Sequence, residues 1–227
     1  MTDTRRLLVV GRGRMGQIVE RLCPDYGFQL AGTIDRQAAA IENDWPAADV
    51  AIDFSTADAV AANLPRLLGR GISVVVGTTG WQRQEAALRE LAKTYDAGVV
   101  AAPNFALGVN IFLAFAERAA HLMAGRDTFR PWIHELHHAA KADAPSGTAL
   151  ALERVLRQGG VQDVPVTSTR AGWIPGTHVV GFDAIAETIT LTHEARDRSV
   201  FARGALEAAR WVAGKRGWFS MRDVLGI

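Results

Sequence analysis

The sequence holds a single cysteine, Cys23, so no disulfide can form within the chain, and this usage suits a reducing compartment. It also lacks an excess of charge: 25 Lys and Arg face 24 Asp and Glu, a formal net charge of +1. No general attraction to nucleic acid or to anionic membranes follows from that balance, and no run of basic residues makes a patch. No apolar run reaches the roughly 20 residues of a membrane span, and the amino terminus lacks the apolar stretch of a signal peptide. Internal repeats, low-complexity tracts and Pro/Ser-rich linkers are missing too. A soluble, cytoplasmic protein is expected, with neither nucleic acid nor membrane as partner. What is present is ample apolar material: 48% hydrophobic residues over 227 positions can bury a good core and fill two modest domains.

Near the amino terminus an apolar run, Arg6-Leu-Leu-Val-Val10, leads into Gly11-Arg-Gly-Arg-Met-Gly16 and then Gln17-Ile-Val-Glu-Arg-Leu22. Strand, glycine turn and helix make the setting in which G-x-G-x-x-G binds a dinucleotide. The first glycine permits the turn, the second lets backbone approach a pyrophosphate, and the third lets helix pack on strand. A further strand, Gln29–Ile34, ends at Asp35, about twenty residues on, where a carboxylate meets an adenosine ribose hydroxyl. Arg36 follows it, and a guanidinium can grip a 2′-phosphate. NADH and NADPH both remain open.

The alternation continues. Asp49–Ser55, Ile72–Gly80 and Gly98–Ala102 read as buried strands, with helices over Ala57–Arg70 and Gln82–Tyr95 between them. Such β/α alternation predicts a parallel sheet with helices on both faces and ligands at the carboxyl ends of its strands. Those ends carry Phe54-Ser55, Gly77-Thr78-Thr79 and Pro103-Asn104-Phe105, groups suited to line a nicotinamide channel or, equally simply, to make ordinary turns. Beyond Asn104 the texture changes to a long helix, Val109–Met123, an alternating strand, Thr188–His193, and a last helix, Gly204–Ala213. This part reads as an α+β substrate domain with a largely antiparallel or mixed sheet.

The most chemical stretch is Glu135-Leu-His-His-Ala-Ala-Lys-Ala-Asp-Ala-Pro-Ser-Gly-Thr-Ala149. From Trp132 to His138 it reads as a strand, with Ile133, Glu135 and His137 on one side and Trp132, His134, Leu136 and His138 on the other. After Pro145 a helix begins, capped by Ser146, with Leu150, Leu152, Val155 and Leu156 at helical spacing. The amides of Gly147 and Thr148 then stand at a helix N-terminus, which attracts anions. Lys141 adds a positive charge, and His137 and His138 titrate near neutrality. These are the parts needed to hold a small carboxylate and hand it a proton. A metal site is a poorer reading, since Cys23 is far away and the two histidines lack another ligand at a recognised spacing.

Taken together, the sequence resembles the dihydrodipicolinate reductase (4-hydroxy-tetrahydrodipicolinate reductase) family of diaminopimelate–lysine biosynthesis. The resemblance covers nearly the whole chain: Gly13–Gly16, Asp53–Ser55, Gly77–Gly80, Asn104-Phe105 with Gly108–Asn110, Arg170–Gly172 followed by Gly176 and His178, and Met221–Leu225. Its most specific part is the signature Glu135–Ala149. The resemblance implies NAD(P)H-dependent reduction of 4-hydroxy-tetrahydrodipicolinate to tetrahydrodipicolinate, on a Rossmann-type parallel sheet. His137 would be the proton donor, with Lys141 a second donor and electrostatic anchor. His138, Gly147 and Thr148 would bind the substrate, a small cyclic dicarboxylate. Gly11, Arg12, Gly13, Arg14, Met15 and Gly16, with Asp35 and Arg36, would surround NADH and/or NADPH. So would Gly77, Thr78 and Thr79, and Ala102, Pro103, Asn104 and Phe105. No metal is implied.

The family organisation implies a dinucleotide-binding domain at 1–105 and 203–227, and a substrate-binding and oligomerisation domain at 106–202, assembled as a homotetramer. Joints near Asn104–Phe105 and Phe201–Arg203 suggest a hinge. The chain departs from longer relatives in its shorter glycine turn, where they often have G-x-x-G-x-x-G, and in abbreviated segments at Asp35–Asp49 and Gly159–Arg170. Two other readings share its features: a different nicotinamide reductase such as homoserine or aspartate dehydrogenase, and a non-enzymatic dinucleotide sensor. The His-His-Ala-Ala-Lys segment argues against the first and the intact His137, Lys141 and Ser-Gly-Thr start against the second.

Overall fold

The computed structural model describes residues 4–35 and 45–227. In chain order its elements are β1 (Arg5–Val10), α1 (Arg14–Leu22), β2 (Phe28–Ile34), β3 (Val50–Asp53), α2 (Ala57–Gly69), β4 (Ser73–Val76), α3 (Glu85–Thr94), β5 (Gly98–Ala101) and α4 (Leu107–Met123). There follow β6 (Arg130–His137), α5 (Gly147–Gln158), β7 (Val166–Arg170), β8 (Thr177–Asp183), β9 (Thr188–Glu194), α6 (Ser199–Val212), β10 (Gly217–Phe219) and α7 (Met221–Leu225).

The short apolar runs become strands because both of their faces are covered. Leu7, Val9, Val50 and Ile52 pack with Val19, Leu22 and the small residues of α6. The alternate residues Leu8, Val10, Ala51, Val74 and Val76 pack with Leu64, Leu67 and Leu68 of α2 and Leu88 of α3. The resulting sheet is wholly parallel, in the order β10-β5-β4-β3-β1-β2. From β1 the chain runs to β2 on one side and comes back to β3 on the other. The loops leaving β1 and β3 therefore diverge, which opens a crevice at the carboxyl ends of the strands.

Helix α6 starts at Ser199, earlier than the sequence pattern indicates, so residues 201–203, where a joint is expected, lie inside a helix. Its buried positions are mostly alanine and glycine, which brings its backbone unusually close: a Cβ on Gly204 would lie 1.6 Å from the carbonyl oxygen of Phe105.

The second sheet has the order β7-β6-β8-β9 and is mixed, β7 running parallel to β6 while β8 and β9 are antiparallel. One face is closed by α4 and α5 through Phe112, Ala116, Leu152 and Leu156 against Ile133, Val180 and Phe182. The other presents half-buried Trp132, His134 and Leu136, with the Trp132 indole seated where a side chain on Gly181 would stand. Met1–Leu107 with Ser199–Ile227 form one compact unit and Gly108–Arg198 a second. Among the described residues no helix is long and apolar enough to cross a membrane.

Candidate active site

The glycine turn has the geometry of an anion cradle. Gly11 has φ +96°, and a Cβ there would meet the Phe54 carbonyl oxygen at 2.4 Å. On Gly16 it would sit 1.9 Å from the Gly11 carbonyl oxygen, so the third glycine is what lets α1 dock against the turn. Gly13 is different: nothing lies within 4 Å of its would-be Cβ. As the N-cap of α1 it supplies no capping side chain, and the first turn carries no acid. Positive partial charge at the helix end thus meets open space. A cavity of about 370 Å³ opens there, lined by residues 11–13, Asp35 and residues 54–56. These groups fit a dinucleotide. A larger cavity, about 710 Å³, lies at the amino ends of β1, β3 and β5, away from the crevice where the topology places ligands.

Arg12 and Arg14 are exposed beside the turn and Met15 is half-buried, while Arg36 lies outside the described residues. Gly77 is tight against the Phe54 ring, 2.2 Å from a would-be Cβ. Thr78 turns its hydroxyl inward to Asp53, Oγ1 to Oδ1 3.0 Å, and Thr79 is exposed. Asp53 itself is buried and also accepts from the Ser55 amide and hydroxyl, at 2.8 and 2.6 Å. Burial raises its pKa, against those bonds. Ala102 and Asn104 are half-buried and Pro103 exposed; Asn104 Oδ1 accepts from the Ala106 amide, 2.8 Å. The Phe105 side chain is a core residue, leaving its expected place in the cofactor channel to the backbone at most.

In the Gly108–Arg198 unit, β6 points Ile133, Glu135 and His137 inward, as its alternation predicts. The register does the rest. Antiparallel β8 sets His178 opposite Glu135, and parallel β7 sets Ser168 beside Glu135 and Arg170 beside His137. Glu135 is fully buried. Its Oε1 accepts from Arg170 Nη2 at 2.7 Å and from the Ser146 amide at 3.2 Å. Its Oε2 lies 2.5 Å from His137 Nδ1. The pair stands at ion-pair distance without the alignment of a directional hydrogen bond. Ser146 caps α5, its Oγ accepting from the Ala149 amide and meeting His178 Nε2, each at 3.2 Å. The His137 and His178 rings pack edge to face, centroids 5.1 Å apart.

Electrostatics follow from these contacts. Burial would raise the Glu135 pKa, but hydrogen bonds from Ser168, Arg170 and Ser146 and the charge of His137 bring it down to about 2. Burial lowers His137, Glu135 opposes that, and Lys141 and Arg170 add to it; the net direction is down. Burial and His137 push His178 down to about 4. Lys141 reaches Asp143, Nζ to Oδ1 2.5 Å, and holds that carboxyl below its ordinary value. His138 is half-buried; Gly147 is exposed and Thr148 half-buried at the start of α5. Glu135, His137 and His178 bring one possible metal ligand each within 4.8 Å. Arg170 already engages the Glu135 carboxylate, however, and Lys141 adds a second cation, so the cluster suits an anionic ligand better.

The sequence pattern does not join Glu135, Ser146, Arg170 and His178 into one network; the structure does. The available signal was an acid on the core side of a strand, between Ile133 and His137. Such a residue must find partners when buried.

A parallel sheet with an open glycine-rich crevice, and a second sheet carrying a buried Glu–His–Arg network, define a nicotinamide-dependent oxidoreductase of two sheets. A family model described as dihydrodipicolinate reductase, N-terminus, matches residues 5–105, and one described as dihydrodipicolinate reductase, C-terminus, matches residues 108–225. The chain belongs to the dihydrodipicolinate reductase family. Among its relatives, a 4-hydroxy-tetrahydrodipicolinate reductase of Christiangramia forsetii is 35% identical over 96% of this chain and 97% of its own. One of Zymomonas mobilis is 37% identical over 97% and 96%. The fold is similar to a dipicolinate-bound dihydrodipicolinate reductase of Paenisporosarcina sp. TG-14, with TM-score 0.81 at 23% identity, covering 96% of this chain and 98% of that one.

Proposed function

We infer that the chain reduces 4-hydroxy-tetrahydrodipicolinate to tetrahydrodipicolinate in diaminopimelate–lysine biosynthesis, with NADH or NADPH as the hydride source. The observation that carries this is the cluster of His137, Lys141 and the α5 N-terminus in one unit, built from the segment Glu135–Ala149. Relatives bearing that activity's name align over nearly their whole length, and the Paenisporosarcina structure is one with dipicolinate bound.

Residues 11–16 would hold the pyrophosphate, Asp35 and Arg36 the adenosine ribose, and the backbone of residues 77–79 and 102–105 the rest of the dinucleotide. When bound, the nicotinamide supplies hydride to a ring carbon conjugated with the substrate's imine. The amides of Gly147 and Thr148, with His138, hold a substrate carboxylate at the helix end. Lys141 lends its charge to the anion, and negative charge developing in the ring is met by a proton from His137 or from the Lys141 ammonium. Because burial and two cations keep His137 neutral in the free protein, its protonation is best coupled to arrival of the dianionic substrate. The half-exposed outer face of the second sheet, with Trp132, His134 and Leu136, supports a homo-oligomer, a tetramer on the family pattern. The same reading places the enzyme in the cytoplasm.

The test is oxidation of NADH and NADPH, followed at their absorbance, with freshly generated 4-hydroxy-tetrahydrodipicolinate. Turnover that depends on that substrate supports the reading; reduction of NAD+ or NADP+ by homoserine or aspartate instead, or cofactor binding without turnover, would overturn it.

A further inference from the structure

We propose that Glu135 is the positioning residue of the proton-donating histidine: it holds the Nδ1 side of His137, so that Nε2 is the nitrogen presented to the substrate. This rests on the reductase reading above for the role of His137, but its geometry stands independently. Residues two apart on one side of a strand share a face, so Glu135 and His137 meet without any loop having to order. The 2.5 Å approach of Oε2 to Nδ1 is the outcome.

Two features make the contact more than a chance neighbour. The first is that Glu135 cannot swing away. Its other oxygen is held at 2.7 Å by Arg170, which itself is tied to the Asp143 carbonyl at 2.6 Å, and at 3.2 Å by the Ser146 amide. The second is on the opposite side of the ring. A Cβ on Gly176 would lie 3.0 Å from Nε2, and Gly176 has φ +155°. Only glycine at that place leaves Nε2 uncovered. One ring nitrogen thus faces a carboxylate at 2.5 Å while the other is kept clear by a missing side chain, an arrangement that favours the tautomer with its proton on Nδ1.

Glu135 also decides the charge that His137 can carry. The groups bearing on the imidazole are Lys141 from the loop after β6 and Arg170 from β7, both of which oppose a proton on it; the His178 ring from β8 packs against it edge to face, and Asp143 is spent on Lys141. Among the described residues acting on His137, Glu135 is the anion that favours the imidazolium. Its removal must lower the His137 pKa and weaken the donor.

The test begins with the intact wild-type protein, without substrate or turnover. Long-range 1H–15N correlation spectra of the imidazoles, with His137 assigned by its Gln variant, should show neutral His137 protonated on Nδ1. Glu135→Gln keeps the shape and the acceptor for Arg170. It should lower the His137 titration midpoint and cut kcat by about tenfold or more, with substrate KM within about threefold of wild type. Because the imidazolium is the active form, the basic limb of the kcat profile should move to lower pH; Glu135→Asp, which keeps the charge, should move it part of the way back. A wild-type ring protonated on Nε2 would overturn the proposal. So would a folded Glu135→Gln protein whose His137 resonances and pH limb are unchanged and which has lost only thermal stability. If that variant does not fold, the wild-type spectrum alone decides. Absence of turnover in the wild type would sink the reductase reading and leave the spectrum as the judge of Glu135.

Discussion

Gly16 stands so close to the turn that precedes its helix that a Cβ on it would lie 1.9 Å from the carbonyl oxygen of Gly11, whereas a Cβ on Gly13, three residues earlier, would meet nothing within 4 Å. The two glycines therefore do different things. Gly16→Ala forces the helix off the turn and should destabilise the protein by about 1–3 kcal/mol or more. Gly13→Ala should leave the melting temperature nearly unchanged and weaken cofactor binding, since the room it fills is the room a pyrophosphate needs. Thermal melts and a nicotinamide fluorescence titration separate the two. Equal loss of stability in both variants would contradict this division.

The cofactor's adenosine end makes a second case. Asp35 lines the crevice at the end of β2 and should accept from the ribose hydroxyls; Arg36, next in sequence, should face a 2′-phosphate. Both cofactors should be used. Asp35→Ala should weaken NADH more than NADPH, and Arg36→Ala the reverse, each by about 1.5–3 kcal/mol. Dissociation constants that move in parallel would refute the assignment.

At the start of α5, Gly147 is exposed, and its would-be Cβ meets no protein atom within 4 Å. Gly147→Ala should consequently fold normally while hindering any anion seated on the helix end. Pyridine-2,6-dicarboxylate should inhibit the wild type competitively with substrate, and a pyridine monocarboxylate should be weaker by about 1.5–3 kcal/mol. Lys141→Ala should erase most of that difference. Unchanged inhibition in Gly147→Ala would reduce the helix end to a well-capped terminus.

Proton linkage offers a readout of His137. Burial first, then Lys141 and Arg170, hold its pKa below the ordinary 6.5 despite Glu135. At neutral pH it is unprotonated in the free protein, and a dicarboxylate bound beside it raises its pKa. Binding of pyridine-2,6-dicarboxylate should take up as much as about one proton, seen as a binding enthalpy that varies with the ionisation enthalpy of the buffer. His137→Gln should abolish the uptake. No uptake in the wild type would leave Lys141 as the donor.

Acid should lower the stability of the protein in two ranges of pH. His178 has a folded pKa of about 4 against an ordinary 6.5. Between those values the unfolded chain binds more protons, so this contribution is complete above pH 6.5 and is lost as the pH falls toward 4. The gap corresponds to roughly 3 kcal/mol. Glu135, with its pKa lowered from 4.5 to about 2, adds a loss that begins below 4.5. Denaturant unfolding across this range should show stability falling from pH 6.5 downward, and His178→Gln should reduce the loss in the upper range, the remainder coming from His137 and His193, whose pKa values burial also lowers. A wild-type stability independent of pH between 6.5 and 4 would mean that His178 is not buried in its neutral form.

What could be read from the chain alone was whatever depends on neighbours in sequence. The buried strands β1, β3, β4 and β5 are marked by unbroken apolar runs, the turn at Gly11–Gly16 by its spacing, and the start of α5 by Ser146, whose capping bond is present. The inward side of β6 follows from the two-residue period of a strand. Strands β8 and β10 left weaker marks: Thr177–Asp183 carries a glycine in its middle, where Trp132 packs, and Gly217–Phe219 is three residues long and exists because β5 offers it an edge. The start of α6 at Ser199 was hidden in the same way, since its alanines and glycines are selected by close packing rather than by apolar period.

The order of the sheets, the register of β7 and β8 on β6, and hence the meeting of Glu135, His137, Arg170 and His178, were decided only in three dimensions. These four residues are spread over 44 positions of sequence, and hydrogen-bonded pairing between strands carries no local signature. An isolated Glu or His reads the same whether solvated or buried. Tertiary burial is what strips the water away, obliges each charge to find a partner, and so turns separate polar residues into one coupled site.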